Sequence, residues 1–182
     1  MALTAQVALL RAVNVGGRTA TMAELRAMVA GMGLEAPRTL LQSGNLVFRG
    51  EARGPALEAD IERAFEARFG FASDVIVRTR EEWRAVIEAN PLGAMAERDP
   101  AHLLVMPLKA APAAEALAAL VAWDKGPETI RPAGRALYIA YPDGVGRSKL
   151  TNALIERRLG VKGTARNWNT ALKLAAMLEE NG

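Results

Sequence analysis

The chain has 182 residues, 51% of them hydrophobic, which is enough to bury a core without covalent staples. It has no cysteine and a single histidine, His102, which excludes a disulfide framework and a thiol nucleophile and disfavours a zinc or histidine-triad enzyme. Its net charge of +3, from 23 basic and 20 acidic residues, admits an anionic partner without demanding nucleic acid. The start Met1-Ala2-Leu3-Thr4 lacks a basic n-region and Arg11 interrupts the apolar run after it, so no signal peptide is expected. No apolar run approaches the roughly 18 residues of a membrane span. The reading is a soluble cytoplasmic protein without a membrane partner.

In chain order, Gln6 to Val13 is almost wholly apolar and reads as a strand central in its sheet. It breaks into a loop at Gly16-Gly17. Thr21-Met22-Ala23-Glu24 has the spacing of a capping box, and Met22, Leu25, Val29 and Met32 continue at helical spacing until Gly31-Met32-Gly33. Two short apolar runs then flank Ser43-Gly44, the pattern of a tight β-hairpin. Gly54-Pro55 opens a second helix with Leu57, Ile61, Phe65 and Phe69 on its apolar side, ended by Gly70. Asp74 to Arg78 reads as a strand. Residues 5–79 therefore read β-α-β-β-α-β, the ferredoxin-like split motif. A second capping box, Thr79-Arg80-Glu81-Glu82, starts a helix that ends before Asn90-Pro91.

Residues 91–100 carry Pro91, Gly93 and Pro100 and read as a linker. The element order then repeats: a strand His102 to Met106, an Ala-rich helix opened by Pro112, and strands Thr129 to Arg131 and Ala136 to Tyr141 paired around Ala133-Gly134. A helix capped by Ser148 follows, with a short strand near Val161 to Ala165. A last helix, Thr170 to Glu180, is extra. The fold class is α+β: two ferredoxin-like halves with antiparallel sheets, residues 1–90 and 101–182, plus the C-terminal helix.

In this topology the end of the first strand and the tip of the central hairpin share an edge. That places Asn14, Gly16, Gly17 and Arg18 beside Gln42, Ser43, Gly44 and Asn45. In the second half, the Gly144-Val145-Gly146-Arg147-Ser148-Lys149 loop falls beside Arg166-Asn167-Trp168. Glycines expose backbone N–H groups, and Arg and Lys add charge, so each loop pair has the composition of a site for phosphate or carboxylate. The candidate ligand-binding residues are Arg11, Asn14, Gly16, Gly17, Arg18, Ser43, Asn45, Gly146, Arg147, Ser148, Lys149, Arg166 and Asn167. Each also has a plain reading as a turn, a helix cap or an internal ion pair. Neither loop is a nucleotide fingerprint: the first lacks the third glycine of G-x-G-x-x-G, and the second lacks the Walker A spacing. His102 shows no partner carboxylate and reads as structural. Asp143 is the acid nearest the second loop.

The segments Leu10 to Gly17, Met22 to Arg26, Gln42 to Phe48 and Arg166 to Thr170 resemble, in this order, the hallmarks of the bacterial domain of unknown function 1697. The likeness runs nearly end to end. Two departures are Ala12, where a glycine is usual, and Leu92, where phenylalanine usually follows Asn-Pro. The resemblance implies an α+β fold with ferredoxin-like halves. It implies no reaction, ligand or cofactor, and no catalytic residue carries over. Three functions remain open on the residues: binding of a small anionic ligand such as a nucleotide or phosphorylated metabolite, nucleic-acid binding on a sheet face or basic edge, and phosphoryl transfer or hydrolysis without His or Cys catalysis. The aromatic content of 5% weighs against base stacking.

Overall fold

The computed structural model describes residues 2–182; Met1, where the first half is taken to begin, lies outside them. The described residues form two compact units, 2–85 with Leu174–Gly182, and Val86–Lys173. The first holds β1 (Thr4–Leu10), α1 (Met22–Gly31), β2 (Glu35–Leu40), β3 (Asn45–Gly50), α2 (Gly54–Phe69) and β4 (Val75–Thr79). Its sheet is antiparallel in the order β2-β3-β1-β4. Strand alternation sends Ala8, Leu10, Leu46, Phe48, Val75 and Val77 to one face, where they pack with Leu25 and Val29 of α1 and Leu57, Ile61 and Phe65 of α2. Val7, Leu9, Val47 and Ile76, on the opposite face, are buried as well. That two-sided burial explains why β1 is a continuous apolar run and not an alternating one.

Both capping boxes form. Thr21 accepts from the Glu24 N–H while the Glu24 side chain accepts from Thr21. Thr79 and Glu82 exchange the same pair of bonds, at 3.2 and 2.8 Å, and start α3 (Arg80–Glu88).

β4 is an edge strand, and its outward N–H groups would be open to another chain. They are closed by glutamates. The N–H of Val75 donates to Glu62 Oε1 at 2.9 Å, that of Val77 to Glu58 Oε1 at 3.0 Å, and that of Thr79 to Glu82. Glu58 and Glu62 stand one turn apart on α2. Glu58 is buried, and the equally buried guanidinium of Arg78 lies 3.9 Å from it.

The second unit repeats the plan with β5 (Leu103–Pro107), α5 (Ala114–Val121), β6 (Thr129–Ala133), β7 (Ala136–Ala140), α6 (Asn152–Leu159) and β8 (Arg166–Asn167), antiparallel in the order β6-β7-β5-β8. Met106, Leu120, Ile130, Leu137, Ile139, Leu150 and Ile155 build its core. The last helix, α7, runs Trp168–Glu180. Its part from Leu174 onward belongs to the first unit, where Glu180 accepts from Arg38 of β2 at 2.7 Å.

Several boundaries differ from the sequence reading. β1 stops at Leu10 and not near Val13, because the backbone turns left-handed at Ala12, φ 56°. The hairpin tip is the four residues 41–44 and not a two-residue turn, since Leu40 pairs with Asn45. Residues 91–100 contain a short helix, α4 (Gly93–Arg98), and the start of a 3₁₀ turn, Pro100–His102. The last strand lies at Arg166–Asn167, while residues 161–165 supply only an isolated bridge between Gly163 and Leu108. Among the described residues no helix is long and apolar enough to cross a membrane.

Candidate functional site

In the first unit the expected convergence at one sheet edge is present. Leu10 N–H donates to the Gly44 carbonyl at 2.9 Å, joining the end of β1 to the hairpin tip. Gly44 has φ 83°, and a Cβ there would lie 3.0 Å from Leu10 Cβ, so the approach needs a glycine twice over. Asn14 holds the loop: its Nδ2 donates to the Gln42 carbonyl at 2.7 Å, and its Oδ1 accepts from the Ala20 N–H at 2.9 Å. Asn45 is fully buried and ties the tip from inside, with Nδ2 donating to Leu40 O and to Ser43 Oγ. Asn14, Ser43 and Asn45 thus shape the loops, and their polar atoms point to chain partners.

What this scaffold presents is backbone. Ala12, Asn14, Gly16 and Gly17 have φ of 56°, 60°, 59° and 80°, and Leu41 across the edge has 59°. Left-handed φ at Ala12 is backbone that glycine adopts at lower cost than alanine, in keeping with the glycine that the resemblance implies at that position. The N–H groups of Ala12, Val13, Asn14, Gly16 and Gly17 take no hydrogen bond within the described residues. Arg11 and Arg18 bracket the run. Arg11 is anchored by its main chain, to Asp74 at 2.9 Å and Ser73 at 2.8 Å, and the Asp74 carboxylate lies 4.0 Å from its guanidinium. Arg18 is exposed, and its side chain takes no partner among the described residues.

In the second unit the end of β7 and the end of β8 both meet the start of β5: Leu103 pairs with Ala140, and Leu104 with Asn167. The candidates here divide sharply. Ser148 does not cap α6. Thr151 does, accepting from Leu154 N–H at 3.2 Å. The Ser148 hydroxyl donates to Glu128 and accepts from Leu150 N–H, and Glu128 also accepts from Trp123 Nε1 at 3.0 Å. Partial burial pushes the Glu128 carboxyl up, but the Ser148 and Trp123 bonds outweigh it and hold the carboxyl below its ordinary value. Ser148→Ala is therefore expected to cost about 1 kcal/mol at neutral pH. Because the folded value is depressed, that difference shrinks as pH falls below the free-glutamate value of about 4.3. Urea unfolding of both proteins across that range reads it.

Arg166 is buried, with Nη1 donating to Thr164 Oγ1 at 2.7 Å and to the Ala165 carbonyl at 3.0 Å. Burial lowers its guanidinium to about 10, so it stays charged at neutral pH. Asn167 caps α7, accepting from the Thr170 N–H at 2.9 Å, and Trp168 packs against Tyr138. Gly146, Arg147 and Lys149 are exposed, with no ion pair at either cation among the described residues.

His102, which shows no partner carboxylate in the sequence, has one in the structure. His102 Nδ1 lies 2.7 Å from Asp99 Oδ2. The signal was the spacing Asp99-Pro100-Ala101-His102, a 3₁₀ turn that sets positions i and i+3 on one side. Asp143 is exposed in the turn after β7.

The chain matches, over residues 3–138, the family described as protein of unknown function DUF1697. Comparison with curated proteins gives no match. Among solved structures it is similar to a conserved bacterial protein from Streptococcus pneumoniae, with a TM-score of 0.79 and 23% sequence identity over 98% of this chain and 99% of that one. That likeness is one of fold. With the match running from the start of β1 into β7, over well more than half of its length, the chain belongs to the DUF1697 family of proteins of unknown function.

Proposed function

We propose that the protein binds a small anionic ligand, carrying a phosphate or carboxylate, at the Arg11–Arg18 loop of the first unit. The observation that supports this is the set of backbone N–H groups left without chain partners at Ala12, Val13, Asn14, Gly16 and Gly17, bracketed by two arginines. Such N–H groups must be met by water or by a ligand, and successive ones in left-handed backbone form concavities that favour anions. The Asn14 and Asn45 bonds hold the loop in that shape before any ligand arrives, which lowers the cost of ordering on binding. Arg18 adds a planar fork on an exposed stem.

The test is titration of the full-length, ¹⁵N-labelled chain with inorganic phosphate. The Gly16 and Gly17 amide resonances are expected to move along a saturating curve, and Arg18→Ala to weaken the midpoint about tenfold, the size of one charge-assisted hydrogen bond. Amides of residues 12–18 that do not respond to phosphate, or respond equally in the Arg18→Ala chain, would remove this loop as the site.

A further inference from the structure

The second unit carries a group that anion binding at the first unit's loop does not use. Pro100 opens a 3₁₀ turn in which the His102 N–H donates to the Asp99 carbonyl at 3.1 Å, and the same turn brings Asp99 Oδ2 to 2.7 Å from His102 Nδ1. A carboxylate only accepts, so Nδ1 carries the proton of the neutral ring and Nε2 presents its lone pair. Nε2 has no partner among the described residues, and the ring is 44% exposed. It faces Gly144, where a Cβ would lie 3.8 Å away. The loop is tied to the histidine's own backbone: Tyr141 N–H donates to His102 O at 2.8 Å, and Gly144 N–H to Tyr141 O at 2.9 Å. Val145–Arg147 then form a short 3₁₀ turn, and Arg147 and Lys149 stand exposed there. A base, a residue that orients it and two cations thus fall within two short turns.

We propose that His102 is the general base, and Asp99 its positioning residue, of a hydrolytic site for small carboxylic esters that bear an anionic group. Nε2 takes a proton from water as the water oxygen bonds to the ester carbonyl carbon. The electron pair of the carbonyl double bond moves onto the carbonyl oxygen. Collapse of this intermediate breaks the ester C–O bond, and the leaving oxygen takes the proton back from Nε2. Arg147 and Lys149 hold the anionic group. This site stands whether or not the first unit's loop binds anions.

The probe is 4-acetoxybenzoate, with release of 4-hydroxybenzoate followed on the full chain. Saturable hydrolysis is expected, and His102→Gln, with unfolding temperature checked, is expected to lower kcat/KM about 100-fold or more. Joint alanine substitution of Arg147 and Lys149 is expected to raise KM while kcat is held. Asp99→Asn is expected to lower kcat and displace the pH profile. Because His102 is the chain's one histidine, ¹⁵N spectra of its ring read the tautomer directly, with the proton on Nδ1 in the natural protein and not fixed there in Asp99→Asn. Hydrolysis no faster than in buffer, equal rates with and without His102, or a proton resident on Nε2 would overturn the assignment.

Discussion

Replacing Glu58 with alanine is expected to lower the stability of the first unit by about 3–5 kcal/mol, the range for breaking a buried charge pair from one side. The change removes two things at once. Val77 N–H loses its acceptor at 3.0 Å, and the buried Arg78 guanidinium loses the carboxylate 3.9 Å away. Arg78 keeps its bond to the Val77 carbonyl at 2.9 Å, which satisfies a donor but supplies no countercharge. Glu58→Gln keeps an acceptor for Val77 and loses only the charge, so it should be the milder change. Urea unfolding midpoints separate the two. Equal, small losses for both would mean that the ion pair carries no energy, whereas recovery in an E58L/R78M double replacement would show that the cost lies in the arginine deprived of this carboxylate.

Phe65→Ala is expected to cost about 3 kcal/mol, the lower end of the range for emptying a buried aromatic site. Phe65 is fully buried between helix and sheet, with the Phe69 ring centroid 4.6 Å and the Phe71 centroid 5.1 Å from its own. Both neighbours are only half-buried and sit in the last turn of α2 and just after it, so they can move into part of the space. A loss well above this range, read by denaturant unfolding, would mean that the neighbours stay in place and the cavity remains open.

Much of the architecture was legible because it is written in local periods. The helical spacing of Leu57, Ile61 and Phe65 and the reciprocal hydroxyl–carboxylate spacing at Thr21–Glu24 and Thr79–Glu82 act over three or four residues, and the structure uses them as they stand. The misread boundaries come from partners distant in sequence. Ser148 and Thr151 both precede the apolar face of α6, and only the recruitment of Ser148 by Glu128, twenty residues earlier, leaves the cap to Thr151. Val13 is as apolar as a strand residue and is buried, yet it packs from a loop whose direction is set by Ala12 and Asn14.

The candidate site residues show the same division. That the β1 end meets the hairpin tip follows from topology, so the pairing of Asn14 with Gln42 was implicit in the fold. Which polar atoms are used up was not, because it depends on backbone carbonyls that composition does not reveal. His102 looked isolated since its carboxylate lies in a stretch that reads as linker, where Gly93 and Pro100 mask a helix of six residues.

The glutamates that close β4 also act as a vernier. Four residues of helix rise about 6 Å and two residues of strand about 6.7 Å, nearly the same step. Glu58 and Glu62 therefore meet Val77 and Val75 only in one alignment of the two antiparallel elements. One residue inserted between Glu58 and Glu62 would rotate one of them about 100° off the strand. One inserted between Val75 and Val77 would turn an N–H from the outer edge towards β1. The connection from Gly70 to Asp74 carries no such constraint from this alignment. Among relatives of this chain, length differences are thus expected to collect in that connection and to be absent from the two segments it joins.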